Sequence, residues 1–224
     1  ATELDYMIEM GKQGLFIVLE GPEGAGKSYQ IDQISRFLAG RDISHLTTRE
    51  PGGTPVAEAV REVILHHPEL KLDGMAELFL FSASRYEHLE TLVRPALSRG
   101  EVVLCDRFEL STRVYQGFGR GVSQETIQTI TAEATGGLLP DLYLVLDVPI
   151  SVGRTRQEVG GNEPDRIELE KSEFMERVRG GYRALATEDD CTELIDASGS
   201  PPSVEKTILG VLASYFPNVF GDAY

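Results

Sequence analysis

The run GPEGAGKS, at residues 21–28, combines residue types that bind phosphate groups. Its glycines let the backbone curve so that N–H groups and the start of a following helix face an anion. Lys27 can reach the outer phosphates of a nucleotide, and the Ser28 hydroxyl can hold Mg²⁺. An apolar strand-like segment, LFIVLE, precedes the run, and a helix-like segment follows it. This order predicts a phosphate-binding loop for a purine nucleoside triphosphate rather than an ordinary glycine-rich turn. The loop alone does not distinguish a kinase from a GTPase or an ATPase.

The composition limits the classes of protein to consider. The chain has 224 residues, with 36 acidic and 21 basic side chains and a net charge of −15. Such a negative charge repels a nucleic-acid backbone, so we expect no nucleic-acid polymer as partner. No apolar run approaches the length of a membrane span, and residues 1–13 lack the pattern of a secretory signal. We therefore expect a cytoplasmic protein with no membrane partner.

The cysteines and histidines show no spacing typical of a metal site or a disulfide framework. Cys105 and Cys191 both fall in strand-like segments, which predicts that they are buried as small apolar side chains. None of the four histidines lies near a nucleophile motif, so we assign them no catalytic role.

Five short apolar runs alternate with helix-like segments along the chain. The runs are LFIVLE, ISHLTT, EVVLCD, DLYLVLDV and CTELID. Near-continuous apolar runs of this length are typical of parallel strands that are covered on both faces. Helical periodicity occurs in VAEAVREVIL, in a long segment at 76–97 and in SVEKTILGVLASYF. The pattern predicts an α/β fold with a five-stranded parallel sheet and helices on both faces.

One polar segment, RTRQEVGGNEPDR at 154–166, interrupts this alternation after the fourth predicted strand. Its glycines and arginines predict a mobile lid, and an ordinary surface loop is the alternative. The predicted organisation is an N-terminal extension at 1–13, one domain at 14–216 with its lid at 153–166, and a C-terminal tail at 217–224.

Basic residues follow the ends of the second and third predicted strands, in TREPGGT at 48–54 and DRFELSTRVYQG at 106–117. Ligands of open α/β sheets bind at the carboxyl ends of the strands. We therefore expect Arg49 and Arg107 to converge near the phosphate loop, where they can clamp a second phosphate group.

Six segments, in this order along the chain, together resemble the thymidylate kinase family. They are GPEGAGKS, TREPGGT, FSASR at 81–85, DRFELSTRVYQGFGRG, ATGGLLPDLYLVLDVP and the polar segment ending in DRIE. TREPGGT and the DRFELS and YQG pair are the most specific of them. The resemblance implies a P-loop NTPase fold and a kinase that transfers the γ-phosphoryl group of ATP to dTMP in dTTP synthesis. It also implies a homodimer.

The resemblance assigns roles to individual residues. It implies an ATP site made of Gly21, Pro22, Glu23, Gly24, Ala25, Gly26, Lys27, Ser28 and Tyr29. It implies a dTMP site made of Glu23, Arg49, Phe81, Arg85, Arg107, Ser111, Thr112, Tyr115 and Gln116. In that site Phe81 stacks on thymine, Arg85 donates to a base carbonyl, and Tyr115 crowds the 2′ position of the sugar. By spacing alone, Phe81 would instead be a core aromatic and Arg85 a surface charge.

The implied reaction needs no strong general base, because the acceptor phosphate oxygen is already mostly ionised at neutral pH. Positioning and charge neutralisation must supply the catalysis. We expect Mg²⁺ to be held by Ser28 and, through water, by Asp106, which could alternatively cap a helix. The expected catalytic residues are Lys27, Arg107, Asp106 and an arginine of the lid, with Arg156 the first choice and Arg154 the second.

The chain departs from the family pattern at two positions. Tyr29 stands where a second hydroxyl residue commonly follows the loop, which removes one contact with the α-phosphate. Glu23 stands where some members have arginine, so the catalytic arginine should come from the lid, as in the bacterial subtype.

Other nucleotide-binding proteins fit the sequence less well. Deoxynucleoside kinases carry an EPxxxW motif after the second strand, whereas this chain has no tryptophan. Kinases for AMP, GMP or UMP lack TREPGGT. A GTPase switch is disfavoured because no [NT]KxD base-reading motif is present.

Overall fold

The computed structural model describes residues 14–160 and 164–221. Its sheet has five parallel strands in the spatial order β2-β3-β1-β4-β5, which confirms the predicted fold class. The strands are β1 (Leu15–Glu20), β2 (His45–Arg49), β3 (Val102–Asp106), β4 (Leu142–Asp147) and β5 (Thr192–Asp196).

Helices connect the strands. They are α1 (Lys27–Ala39), α2 (Pro55–Leu65), α3 (Gly74–His88), α4 (Arg94–Ser98), α5 (Glu109–Thr112), α6 (Gln124–Thr135), α7 (Ile150–Gly160), α8 (Ser172–Leu185), α9 (Pro201–Tyr215) and α10 (Pro217–Phe220). Two π-helical segments, Leu89–Val93 and Arg113–Gly119, extend α3 and α5. The long segment predicted as one helix at 76–97 is therefore divided by a π-helical turn.

Both faces of the sheet are covered, which explains why its strands read as near-continuous apolar runs. Along β1, Phe16 and Val18 point into one apolar cluster, while Ile17 and Leu19 point into the other. All four side chains are fully buried. The same alternation continues along β3 and β4, so the central strands carry the core on each side.

Strand register sets the positions of the residues that follow the strands. Leu19, Arg49 and Asp106 lie level with one another across β1, β2 and β3. Backbone hydrogen bonds continue past the strand ends, from Glu50 N–H to the Asp106 carbonyl at 2.9 Å and from Arg107 N–H to the Leu19 carbonyl at 2.9 Å. The loops after these three strands therefore meet at one edge of the sheet.

Some segments take a structure that the sequence did not predict. The first part of the predicted lid is helical, because α7 continues to Gly160, and residues 161–163 lie outside the described residues. The predicted C-terminal tail contributes Phe220, a fully buried ring that stacks on Phe37 with centroids 5.5 Å apart. The predicted extension at 1–13 lies outside the described residues. No helix in the described part of the chain is long and apolar enough to cross a membrane.

The cysteine prediction is half right. Cys105 is fully buried in β3, as expected, but the expectation for Cys191 is wrong because that residue is exposed. It lies in the turn that immediately precedes β5, and the first buried residue of that strand is Thr192.

Candidate active site

The phosphate loop connects β1 to α1, and its geometry requires glycine. Gly21, Gly24 and Gly26 have φ values of +138°, +73° and +93°. A Cβ atom at Gly21 would lie 2.3 Å from the Leu146 carbonyl oxygen, and one at Gly24 would lie 2.2 Å from that of Gly153. Only glycine combines these backbone angles with such close packing. The loop is thus wedged against the end of β4 and against α7.

Lys27 begins α1 and folds its side chain back over the loop. Its Nζ donates hydrogen bonds to the carbonyls of Gly21 and Pro22, both at 3.1 Å. Burial lowers the pKa of Lys27, and the nearby charge of Arg107 lowers it further, while Glu23 and Asp106 oppose the shift. The ammonium is therefore held in a desolvated position where an anion is its most favourable additional partner.

Ser28 and Asp106 place two side-chain oxygen atoms next to each other beside the loop. The Ser28 hydroxyl donates to Asp106 Oδ2 at 2.8 Å. Asp106 does not cap a helix, since α5 begins three residues later and Phe108 stands at its N-cap position without a side-chain cap. The alternative that the sequence left open for Asp106 is thus excluded.

One cavity, of about 480 Å³, lies between the phosphate loop and α3. Its wall includes all nine residues that the family resemblance assigned to the acceptor nucleotide: Glu23, Arg49, Phe81, Arg85, Arg107, Ser111, Thr112, Tyr115 and Gln116. It also includes Gly24, Gly26, Lys27, Ser28, Tyr29 and Asp106. Residues from β2, α3 and the segment after β3 are therefore brought to the loop by the sheet, although they are far apart in sequence.

Arg107 is the most highly connected cation of this cavity. Its backbone has a φ of +71°, unusual for a residue with a side chain. Nη1 donates to the Gly21 carbonyl at 3.0 Å, to Ser111 Oγ at 3.2 Å and to the Tyr182 hydroxyl at 3.1 Å, and Nη2 donates to Glu23. The carboxylate of Glu23 holds the pKa of Arg107 well above its ordinary value, against the effect of burial.

Arg85 is buried, which excludes the surface position suggested by spacing alone. Its Nε donates to Glu50 Oε2 at 2.8 Å, and Nη2 donates to the Phe108 carbonyl at 3.1 Å and to Thr112 Oγ1 at 3.0 Å. Nη1 has no hydrogen-bond partner among the described residues. A buried donor without a partner is rare, so Nη1 is available to a ligand acceptor.

Glu50 is itself held by a second group, His88, which lies fully buried at the end of α3. The His88 Nδ1 contacts Glu50 Oε1 at 3.1 Å, and the Thr48 hydroxyl contacts Nε2 at 2.7 Å. A carboxylate only accepts, so Nδ1 carries a proton and donates to Glu50. His88, which Thr48 contacts, therefore holds Glu50, and Glu50 in turn fixes the orientation of Arg85.

Arg49 differs from these buried arginines because it is about half exposed. Its Nη2 pairs with Glu58 at 2.8 and 3.0 Å, and the same carboxylate accepts from the Gly53 N–H at 2.9 Å. Phe81 is half-buried and presents part of its ring to the cavity, between the two roles that the sequence allowed.

The predicted lid arginines lie on α7 or just beyond it. Arg156 donates to main-chain carbonyls of Gly24 at 3.4 Å and Ala197 at 3.0 Å, and to those of the two residues that follow Ala197. Arg154 is exposed, and both arginines line a second cavity of about 600 Å³ that shares Gly24 and Gly26 with the first.

The partners of Arg166 are distant from it in sequence. A lid arginine inside DRIE that is not catalytic could pair with its sequence neighbours Glu168 or Asp165, but Arg166 pairs with Glu77 of α3 at 2.8 Å and donates to the Ile64 carbonyl of α2 at 2.7 Å. The end of the predicted lid is therefore attached to the helices of the acceptor side. That attachment joins segments about ninety residues apart, which spacing in the sequence does not indicate.

Sequence reasoning missed Glu20, Glu50, His88 and Tyr182, all of which are buried and hold cavity residues in place. A signal existed for Glu20, since a carboxylate that ends an apolar strand needs partners. Tyr182 gave no signal, because tyrosine on the apolar side of a helix is ordinary in a core.

Comparison with known proteins agrees with this geometry. The model of the family described as thymidylate kinase matches residues 19–208. The chain belongs to the thymidylate kinase family. A thymidylate kinase of Thermosynechococcus vestitus is 44% identical over 92% of this chain and 90% of its own length. One of Trichlorobacter lovleyi is 43% identical over 89% of this chain and 97% of its own. The crystal structure of thymidylate kinase from Ehrlichia chaffeensis superposes with a TM-score of 0.70 at 28% identity, covering 89% of this chain and 98% of that one.

The burial of the ion pair between Arg85 and Glu50 leads to a prediction about the stability of this thymidylate kinase. Their side chains are 2% and 4% exposed, whereas those of Arg49 and Glu58 are 52% and 41% exposed. Replacing Glu50 by Gln leaves a buried guanidinium without its counter-charge and should lower the free energy of unfolding by about 3 kcal/mol. Glu58→Gln, the matched control, should lower it by less than about 1 kcal/mol. Urea unfolding of both variants tests the difference, and equal small losses would contradict it.

Proposed function

We propose that this enzyme, which transfers the γ-phosphoryl group of ATP to dTMP, binds dTMP in the 480 Å³ cavity and ATP along the phosphate loop. The observation that carries the proposal is the convergence on that cavity of every residue assigned to the acceptor nucleotide. In this arrangement Arg49 and Arg107 hold the acceptor phosphate at the strand ends. The thymine ring then extends toward α3.

Recognition of the base rests on α3. Arg85 supplies Nη1, a buried donor without a protein partner in the described chain, to a thymine carbonyl oxygen. Phe81, one helical turn before Arg85, offers its ring face for stacking. Gln116 is almost fully buried and donates to Glu77 at 2.9 Å, which fixes its amide beside the base.

Recognition of the sugar rests on Tyr115. Its ring is buried beside Arg107, and its hydroxyl donates to Glu23 at 3.4 Å. Burial raises the pKa of Tyr115, so the hydroxyl stays protonated at neutral pH. A ring held at this place leaves little room for a 2′-hydroxyl, so we propose that it favours deoxyribose.

The metal is proposed to be Mg²⁺, held by Ser28 directly and by Asp106 through water. The donor set fits, because both residues offer oxygen atoms, they lie 2.8 Å apart, and both line the cavity next to Lys27. When bound, Mg²⁺ would neutralise part of the negative charge of the ATP phosphates. This kinase needs a divalent ion with its ATP, and the choice of Mg²⁺ is the proposed part.

The protein residues act by placement and charge. Lys27 faces the transferring phosphoryl group from the phosphate loop, and Arg107 holds the attacking phosphate oxygen in line with it. The acceptor oxygen is already mostly ionised at neutral pH, so no side chain needs to remove a proton. The acceleration then comes from orienting two anions that would otherwise repel each other.

A substrate panel tests the proposed function. With Mg²⁺ and ATP, a coupled assay should give the highest kcat/KM for dTMP, below it dUMP, and little turnover of dCMP, AMP, GMP, UMP or thymidine. Replacing Mg²⁺ by EDTA should abolish the signal. Turnover of thymidine in place of dTMP would show instead a nucleoside kinase, in which Arg49 and Arg107 do not hold an acceptor phosphate.

The catalytic cation from the α7 side is proposed to be Arg156, with Arg154 the second candidate. Arg156 already contacts the loop at the Gly24 carbonyl, so a small displacement of its side chain brings it toward the phosphates. Arg156→Ala should lower kcat about tenfold or more, with little change in either KM, because the lost contact forms only in the transition state.

Three further variants complete this test. Arg154→Ala should have a smaller effect, and Arg166→Ala should mainly lower the melting temperature, since Arg166 pairs with the buried Glu77. Arg36→Ala, an exposed arginine on α1, is the control for surface charge. Wild-type kcat in all the variants at 154, 156 and 166 would place the catalytic cation outside this segment.

A homodimer is proposed through the outer faces of α2 and α3, two helices that pack against each other. Apolar side chains are exposed there at helical spacing: Val56 and Val63 on α2, and Met75, Phe79 and Tyr86 on α3. Exposed apolar surface of this kind is typical of an interface between proteins. The family resemblance supports a second copy of the chain as the partner.

The dimer prediction uses two equally exposed apolar residues. Phe79 is 58% exposed on α3, and Leu139 is 64% exposed in the loop before β4. Light scattering should give about twice the chain mass of 24.6 kDa for the wild type and for Leu139→Glu. Phe79→Glu should shift the mass to that of a monomer, because it places a charge in an apolar interface. A monomeric wild type, or a dimer that survives Phe79→Glu, would contradict this arrangement.

A further inference from the structure

The side chains of Glu20, Ser111 and Tyr182 form a hydrogen-bond network next to Arg107. Glu20, the last residue of β1, is fully buried. Its Oε1 accepts from the backbone N–H groups of Phe108 at 2.8 Å and Ser111 at 3.1 Å. Its Oε2 accepts from the Ser111 hydroxyl at 2.6 Å and the Tyr182 hydroxyl at 2.9 Å. One carboxylate thus receives four donors.

The two backbone N–H donors and the neighbouring charge of Arg107 favour the ionised form of Glu20. In that form both carboxylate oxygens can only accept hydrogen bonds. Burial raises the pKa of Glu20, and the charge of Arg107 together with the hydrogen bonds opposes that shift. Burial also raises the pKa of Tyr182, so its hydroxyl carries a proton to donate.

The direction of the two hydroxyl protons determines whether Arg107 faces hydrogen-bond acceptors or donors. Ser111 and Tyr182 each have one hydroxyl proton, and their oxygen atoms also lie 2.9 Å from each other. Each proton is therefore directed at Glu20 or at the other hydroxyl, and not at Arg107. Their oxygen atoms therefore present only lone pairs to Nη1 of Arg107, which donates to them at 3.2 and 3.1 Å. A guanidinium has no acceptor, so it can occupy this place only while both hydroxyls point away from it.

We propose that Glu20 and Tyr182 are positioning residues for the acceptor phosphate: Glu20 orients the hydroxyls of Ser111 and Tyr182 so that they accept from Arg107 and hold it toward the cavity. The proposal rests on the proposed function, in which Arg107 contacts that phosphate. Tyr182 lies on α8, 75 residues beyond Arg107 in sequence. Helix α8 thereby takes part in substrate binding without touching the substrate.

The isosteric change Glu20→Gln tests the direction of the hydrogen bonds. The two backbone N–H groups require the amide oxygen at the Oε1 position, so the amide NH₂ must lie where Oε2 was. That NH₂ donates to Ser111 and Tyr182. One of these hydroxyls can then donate to the other, since their oxygens lie 2.9 Å apart, but the second must turn its proton toward Arg107. We expect KM for dTMP to rise about tenfold or more, while KM for ATP changes less than about twofold.

A second substitution separates this role from a merely structural one. Tyr182→Phe alone should raise KM for dTMP about threefold, because it removes one acceptor from Arg107. In the Glu20→Gln background the same change removes a misdirected hydroxyl, so the double variant should bind dTMP better than Glu20→Gln alone. Additive losses in the double variant, or an equal rise in KM for ATP, would overturn the proposal.

Tyr143→Phe is the matched control. Tyr143 is also buried and donates to a carboxylate, Glu109 Oε1, at 3.1 Å, but the described structure shows no contact between Tyr143 and Arg107. It should lower the melting temperature about as much as Tyr182→Phe and leave KM for dTMP unchanged. If Glu20→Gln does not fold, Tyr182→Phe decides, and an unchanged KM for dTMP in that variant overturns the proposal. A wild type that does not phosphorylate dTMP would instead refute the proposed function, before any variant is compared.

Discussion

The hydrogen bonds of Arg107 connect the phosphate loop, β1, α5 and α8 at the point where the central strands end. The residue sits at a positive φ, a conformation that costs about 1 kcal/mol or more for a side chain other than glycine. Its own N–H continues the sheet by donating to Leu19, which keeps that conformation in place. Arg107 therefore joins the phosphate loop to the strand ends and to the acceptor side of the cavity.

Carboxylates inside the domain resolve an apparent conflict in the composition. A chain with a net charge of −15 must still bind two polyanions side by side. It does so by burying arginines with acidic partners, Arg107 with Glu23 and Arg85 with Glu50. Each pair keeps a guanidinium charged and oriented where water is largely excluded, and Nη1 of Arg85 has no partner among the described residues. The positive potential is therefore local to the cavity.

The sequence predicts those parts of the fold and site that depend on local pattern. Apolar runs with a period suited to two covered faces predict all five strands, and glycine spacing predicts the loop before α1. The motifs after the strands predict that Arg49 and Arg107 converge on the loop, because strand ends in a parallel sheet meet at one edge. The places of Phe81 and Arg85 on α3 follow only from the family resemblance. Local pattern does not predict Tyr182 or the partners of Arg166, since both depend on how α8 and the segment after α7 pack against distant helices.

The way the site works also depends on packing between segments that are distant in sequence. Phosphoryl transfer between two ionised groups asks the protein mainly for placement, so small displacements of Arg107 matter more than the acidity of any group. Placement of that guanidinium depends on hydroxyl protons, and these depend on Glu20, which is anchored by backbone N–H groups of the segment that carries Arg107 itself. Glu20, at the end of β1, thus orients two hydroxyls, and these hold the guanidinium of Arg107. The backbone that follows Arg107 in turn holds Glu20. Such a closed hydrogen-bond arrangement holds a charged side chain in one orientation before the substrate arrives.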